Sequence, residues 1–134
     1  MSFLRRFVAA AGGNASTIFA LGLVPVLCAA GAAVDYGRVT DARTALSDAL
    51  EQSLADLGRA PPAAPADDMA ELRAGMDDLL GPSFTDSWRI ESLSRREGRF
   101  VAVVSAEVST SIARLVGIPE VPVQVTAEAP DAPG

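Results

Sequence analysis

Seventeen aspartates and glutamates and eleven arginines carry all the side-chain charge of this chain, which has neither histidine nor lysine. Without those bases, Ser-His-Asp and Cys-His catalysis, Ser-Lys dyads, Schiff bases and histidine metal sites are excluded. What remains is carboxylate chemistry. Glu91 and Glu107 are possible acid–base groups, yet nothing pairs them at a recognisable spacing. Asp67-Asp68 and Asp77-Asp78 lack the alternating oxygen ligands and the glycine of a calcium loop, and read as solvated helix ends. The single cysteine, Cys28, follows Leu27 rather than the small residue a lipoprotein signal needs. One cysteine also means no intramolecular disulfide. The acidic balance argues against nucleic acid, which needs a basic patch. No catalytic, cofactor-binding or metal-binding residue is expected, and no small-molecule substrate. The chemistry open to this chain is that of surfaces.

The element that must carry those surfaces is Phe7 to Val34, which contains no charged residue. Its later part, Ala15 to Val34, is interrupted only by Ser16 and Thr17. Twenty helical residues rise about 30 Å, the thickness of a bilayer's hydrocarbon core. A helix also satisfies its own backbone polar groups there. The stretch reads as one membrane-spanning helix. A soluble core helix is usually shorter and has a polar face, and this one has none. Arg5 and Arg6 precede it, whereas all the acidic residues lie at or after Asp35, which puts the N-terminus on the cytoplasmic side. Arg38 and Arg43 oppose that orientation without reversing it. Tyr36 stands where an interfacial aromatic is expected. A cleaved signal peptide is the rival reading, because Ala30-Gly31-Ala32 fits a small-x-small cleavage site, but the apolar run is longer than a signal core.

Around this element the rest falls into order. Residues 1–14 suit a cytoplasmic segment at the membrane face, with Gly12-Gly13 permitting a bend, and Pro25, which lacks an N–H, is expected to kink the helix further on. Ala29, Ala33 and Gly37 recur every four residues and give one flank little bulk, which lets helices approach closely in lipid. Residues 35–58 continue the helix as a stem. Its apolar stripe, including Leu46, Leu50 and Leu54, packs on the protein's own domain or on a neighbouring helix. Gly58 is placed to stop it. Arg59 to Ala66 has three prolines in five positions and reads as a linker. Asp67 or Asp68 is then expected to cap a second helix, with Met69, Leu72, Met76, Leu79 and Leu80 on one face and Gly81-Pro82 ending it.

From Ser87 the apolar period becomes two. Trp88, Ile90 and Leu93 mark a strand with a register slip near Ser92. Arg95-Arg96-Glu97-Gly98 reads as a hairpin turn. Phe100, Ala102, Val104, Ala106 and Val108 share one face of the next strand, and Val101 and Val103 the other. Ser111 to Val116 is a short helical turn closed by Gly117. Val121, Val123, Val125 and Ala127 form a third strand whose prolines suit an edge. Pro130 to Gly134 reads as a mobile tail.

Two segments carry a resemblance. Gly13 to Leu50, with Ile18-Phe19-Ala20-Leu21 and Gly31-Ala32-Ala33-Val34-Asp35-Tyr36-Gly37-Arg38, resembles the N-terminal anchor of the TadE/TadG-like Flp pilus-assembly proteins. Val103 to Ala129 is similar to the family's strand, turn and closing strand. The resemblance implies a short pilin-like subunit, akin to a minor pilin, that takes part in assembling or priming a type IVb (Tad/Flp) pilus. Family members processed by a prepilin peptidase have a glutamate five residues after the cleaved glycine. Counted from Gly13 that position is Ile18, so no such processing is expected. The larger members' von Willebrand factor A-like domain, with its Asp-x-Ser-x-Ser metal motif, has no counterpart here.

The combined expectation is an α+β protein. An N-terminal transmembrane helix (15–34) continues into a long stem helix (35–58), packed on a small antiparallel sheet of about three strands, as in pilins. A linker (59–67), a small exported domain (68–130) and a tail (131–134) follow. The protein is expected in the bacterial inner membrane with its C-terminal domain periplasmic, and to be non-enzymatic. Its partners are the membrane and other pilus-assembly subunits, met through Ala29, Ala33, Gly37, Leu46, Leu50 and Leu54. The alternative is a secreted or periplasmic adaptor or binding domain freed by signal cleavage.

Overall fold

A computed structural model describes the backbone of residues 2–132 and the side chains of Arg6 and residues 13–132. Helix α1 spans Ser2–Arg59 and α2 spans Pro65–Leu80. Strands β1 (Ser87–Arg96), β2 (Arg99–Ser109) and β3 (Glu120–Pro130) follow, with a 3-10 turn at Ala113–Val116 between the last two. The strands form one antiparallel sheet in the order β1-β2-β3. The architecture is the α+β arrangement expected.

Helix α1 has two environments. Ile18, Phe19, Leu21, Val24, Val26 and Leu27 are all exposed, Phe19 by 71 %. It is the one helix among the described residues long and apolar enough to cross a membrane, and 6 % of its most apolar window is buried. From Ala42 the pattern reverses: Ala42, Leu46, Ala49, Leu50, Leu54 and Leu57 are buried at helical spacing. Of the two surfaces open to the leucine stripe, the protein's own domain covers it. Leu46, Leu50 and Leu54 are each 0 % exposed, so they are internal packing residues and offer no surface to a neighbour.

Gly12-Gly13, which permits a bend, does not interrupt the helix. The backbone is helical from Ser2, and Pro25 lies inside the continuous helix. Glycine permits a break without imposing one, while each added helical residue gains a backbone hydrogen bond. Most side chains of the segment expected at the cytoplasmic membrane face, those of residues 1–5 and 7–12, lie outside the described residues.

Gly58 is not the stop residue. The helix runs on to Arg59, and Gly58 is buried for a different reason. A Cβ there would collide with the carbonyl oxygen of Pro130, at the end of β3. Glycine lets that strand end close against the helix, and Ala132 N–H donates to the Gly58 carbonyl at 3.0 Å. The linker is also shorter than expected, because α2 begins at Pro65. Ala64 is its N-cap without a side-chain hydrogen bond, and Asp67 and Asp68 lie in the first turn rather than capping it. Proline suits that start: its φ is already helical and it has no N–H to leave unsatisfied. The two carboxylates there complement the helix dipole. Leu72, Met76 and Leu80 are buried, Met69 is half-buried and Leu79 is turned outward. Gly81, at φ 67°, ends the helix as expected.

In the sheet, the register shift falls between Ile90 and Ser92, leaving Glu91 as the bulge residue. Glu97 (φ 51°) and Gly98 (φ 72°) make the two-residue hairpin turn. Phe100, Ala102, Val104, Ala106 and Val108 on β2 join Val123, Val125, Ala127 and Ala129 on β3 in one buried face against α1. β3 is an edge strand, which accommodates Pro122.

Candidate functional site

The residues that set the exposed half of α1 against the folded half meet at one junction. Asp35 lies one turn beyond Gly31 on the same face, and both are buried although their neighbours are exposed. The loop after β2 covers them. Ser111 N–H donates to Asp35 Oδ1 at 2.6 Å, and the N–H groups of Ile112 and Ala113 donate to Oδ2 at 2.9 and 2.8 Å. Three successive amides opening a 3-10 turn converge on one carboxylate, a concave anion seat made of backbone. Ala113 N–H first, then Ser111 and Ile112 N–H and the Arg38 guanidinium, hold the Asp35 carboxyl below its ordinary range, against burial that pushes it up. Beside it, Ile112 fills the space over Gly31. A Cβ on Gly31 would meet Ile112 Cγ1 and sit 2.6 Å from its Cβ and 2.8 Å from its Cγ2.

The loop is closed on itself as well. Thr110 is buried, its hydroxyl donates to the Ile118 carbonyl at 2.5 Å, and its N–H donates to the Pro119 carbonyl at 3.0 Å. Gly117, at φ 87°, makes the turn, and its N–H donates to the Arg114 carbonyl at 3.1 Å. Next to the junction is an open cleft of about 470 Å³, lined by Arg38, Asp41, Phe84, Asp86 and Ser109 among others. Asp86 accepts from Ser109 N–H at 3.2 Å, which holds the α2–β1 connection against the end of β2.

A second polar cluster fixes the other end of the domain. Arg95 pairs with Asp131 at 2.9 Å and with buried Asp68 at 3.4 Å, and its guanidinium lies 4.7 Å from the Phe100 ring centre. Asp131 N–H also donates to the Gly98 carbonyl at 2.8 Å. Asp131 and Ala132, the first residues of the expected tail, are thus tied to the domain by hydrogen bonds and an ion pair. Pro133 and Gly134 lie outside the described residues.

Of the two carboxylates considered as acid–base groups, Glu91 is engaged by its neighbours. Glu91 accepts from Arg89 Nε at 2.6 Å and from the Ser105 hydroxyl at 2.5 Å. First Ser105 and then Arg89 hold its carboxyl below the ordinary range, the wrong direction for a general acid. Among the described residues no group of three or more acidic or cysteine side chains could hold a metal ion. Of the residues singled out in the sequence, Ala29 and Ala33 are exposed and Gly37 is half-exposed with nothing within 4 Å of a built Cβ. Gly31, Asp35 and Ile112 were not singled out as contacts. The available signal was an acidic residue at the edge of an apolar run, one turn after a glycine.

Half exposed apolar rod and half core of a small sheet, this helix defines an α+β protein built to hold a compact domain at the end of an apolar stalk. Residues 13–57 match the family model described as Flp pilus-assembly TadE/G-like. That match bears out the resemblance carried by Ile18–Leu21 and Gly31–Arg38, and it takes in Gly31, Asp35 and the buried leucine stripe. No curated protein and no solved structure matches the chain.

Proposed function

We propose that this protein is a non-enzymatic, single-pass, membrane-anchored subunit that takes part in assembling a Tad/Flp pilus. Residues 15–34 span the inner membrane, with the N-terminus cytoplasmic and the domain after Asp35 in the periplasm. The observation that carries this reading is the changeover along α1. Large apolar side chains are uncovered from Ile18 to Val34, and the apolar stripe is covered from Ala42 onward. Water tolerates the second arrangement and lipid suits the first. The alternative of a cleaved signal loses support from Gly31. Cutting after Ala32 would discard the glycine that receives Ile112, leaving a docking contact with one partner.

In this reading Ala29, Ala33 and Gly37 are the positions at which a neighbouring helix approaches, since they lie on uncovered or half-covered parts of α1. Leu46, Leu50 and Leu54 act indirectly, by holding the domain on its stalk. The test is co-purification from detergent-solubilised membranes. Ala33→Leu is expected to leave membrane insertion intact and to reduce recovery of other pilus-assembly components. Unchanged recovery would remove the contact assignment. Intact protein found soluble without detergent would remove the anchor itself.

A further inference from the structure

We propose that the turn between β2 and β3 is a second membrane contact, inserting its apolar tip into the interface of the leaflet that surrounds the outer end of α1. Leu115, Val116 and Ile118 are exposed by 78, 75 and 49 % and lie within four residues of one another. A cluster of this kind on a small domain marks a surface with an apolar occupant. Its position identifies the occupant. Ile112, three residues before Leu115, sits on Gly31, and the Ser111–Ala113 amides hold Asp35. With Val34 at the hydrocarbon boundary, Gly31 lies about 4.5 Å inside it. The tip is thus clamped to the helix at the level where hydrocarbon gives way to headgroups. Val34 and Tyr36, exposed by 54 and 73 %, stand at the same level on α1. Arg114 and Arg38 are exposed nearby, placed for phospholipid phosphates while the apolar side chains enter the acyl region. A helix alone leaves its domain free to tilt and swivel. A second insertion point fixes how the domain faces its neighbours.

This inference rests on α1 spanning the membrane, and the test separates the two. In full-length Cys28→Ser protein, single cysteines replace Phe19, Leu115 or Glu97, and each carries an environment-sensitive fluorophore. The proteins are reconstituted at high lipid excess in phosphatidylethanolamine–phosphatidylglycerol vesicles containing lipids with a quencher near the headgroup or deep in the chain. All three positions are exposed, so labelling removes no internal contact. The expected result is blue-shifted emission at position 115, quenched most by the shallow lipids. Position 19 is quenched by the deep lipids, and position 97 stays water-like. Water-like emission at 115 with position 19 quenched overturns the inference and leaves the anchor standing. A shielded position 115 that no lipid quenches means a neighbouring chain covers the tip, and also overturns it. An unquenched position 19 overturns the spanning reading, and the inference falls with it.

Discussion

Replacing Gly31 with alanine isolates the contact between stalk and domain. The new methyl group would meet Ile112 at its Cγ1 and lie 2.6 Å from its Cβ. Carbon atoms rest about 3.5–4.0 Å apart, so Ile112 must retreat by about 1 Å or more. The clash involves the branch point of the side chain, so a rotamer change does not relieve it. The loop backbone must move, drawing the Ser111, Ile112 and Ala113 amides away from Asp35, where they now sit at 2.6–2.9 Å. Overpacking of this kind costs about 1–3 kcal/mol. Alanine also favours the helix over glycine by up to about 1 kcal/mol. Gly22→Ala supplies that control, since nothing lies within 4 Å of its built Cβ. Measured against it, Gly31→Ala should raise the loop's opening equilibrium by roughly five- to 150-fold, at 1.36 kcal/mol per tenfold. Hydrogen exchange of amides 111–113 in nanodiscs reads this directly, with strand amides as the internal reference. Equal protection of 111–113 in the two variants would refute the docking described here.

Three further outcomes follow from the same contacts. Leu50→Ala, at a 0 % exposed position, should destabilise the folded domain by about 2–5 kcal/mol, followed in denaturant through the fluorescence of the single tryptophan, half-buried Trp88. Gly58→Ala should cost about 1–3 kcal/mol by displacing the Pro130 carbonyl, with early loss of exchange protection at the Ala132 amide. Asp35 has a folded-state pKa lowered from the ordinary value, so its stabilising contribution is fully present above the usual carboxylate range and disappears as pH falls through the lowered value. Protection of amides 111–113, corrected for intrinsic exchange, should therefore fall on acidification in the native protein. An Asp35→Asn variant with the same pH profile would assign that dependence to another group.

Local chemistry made much of this molecule legible in its sequence. The charge-free run from Phe7 to Val34, the period-two pattern of Phe100 to Val108, the Glu97-Gly98 turn and the slip near Ser92 each reflect forces acting among near neighbours. The leucine stripe at Leu46, Leu50 and Leu54 declared a buried face but not what buries it, because apolar surface carries no address. Tertiary structure decided that its partner is the chain's own domain, α2 together with the sheet. It likewise decided what Gly31 and Gly58 are for. A glycine in a helix looks like a weakness or a stop until another part of the chain, 81 residues from Gly31 in the case of Ile112, rests where its side chain would have been. The same holds for Asp35. Sequence places a carboxylate at the end of an apolar run, and only the return of the β2–β3 loop turns it into the acceptor for three amides.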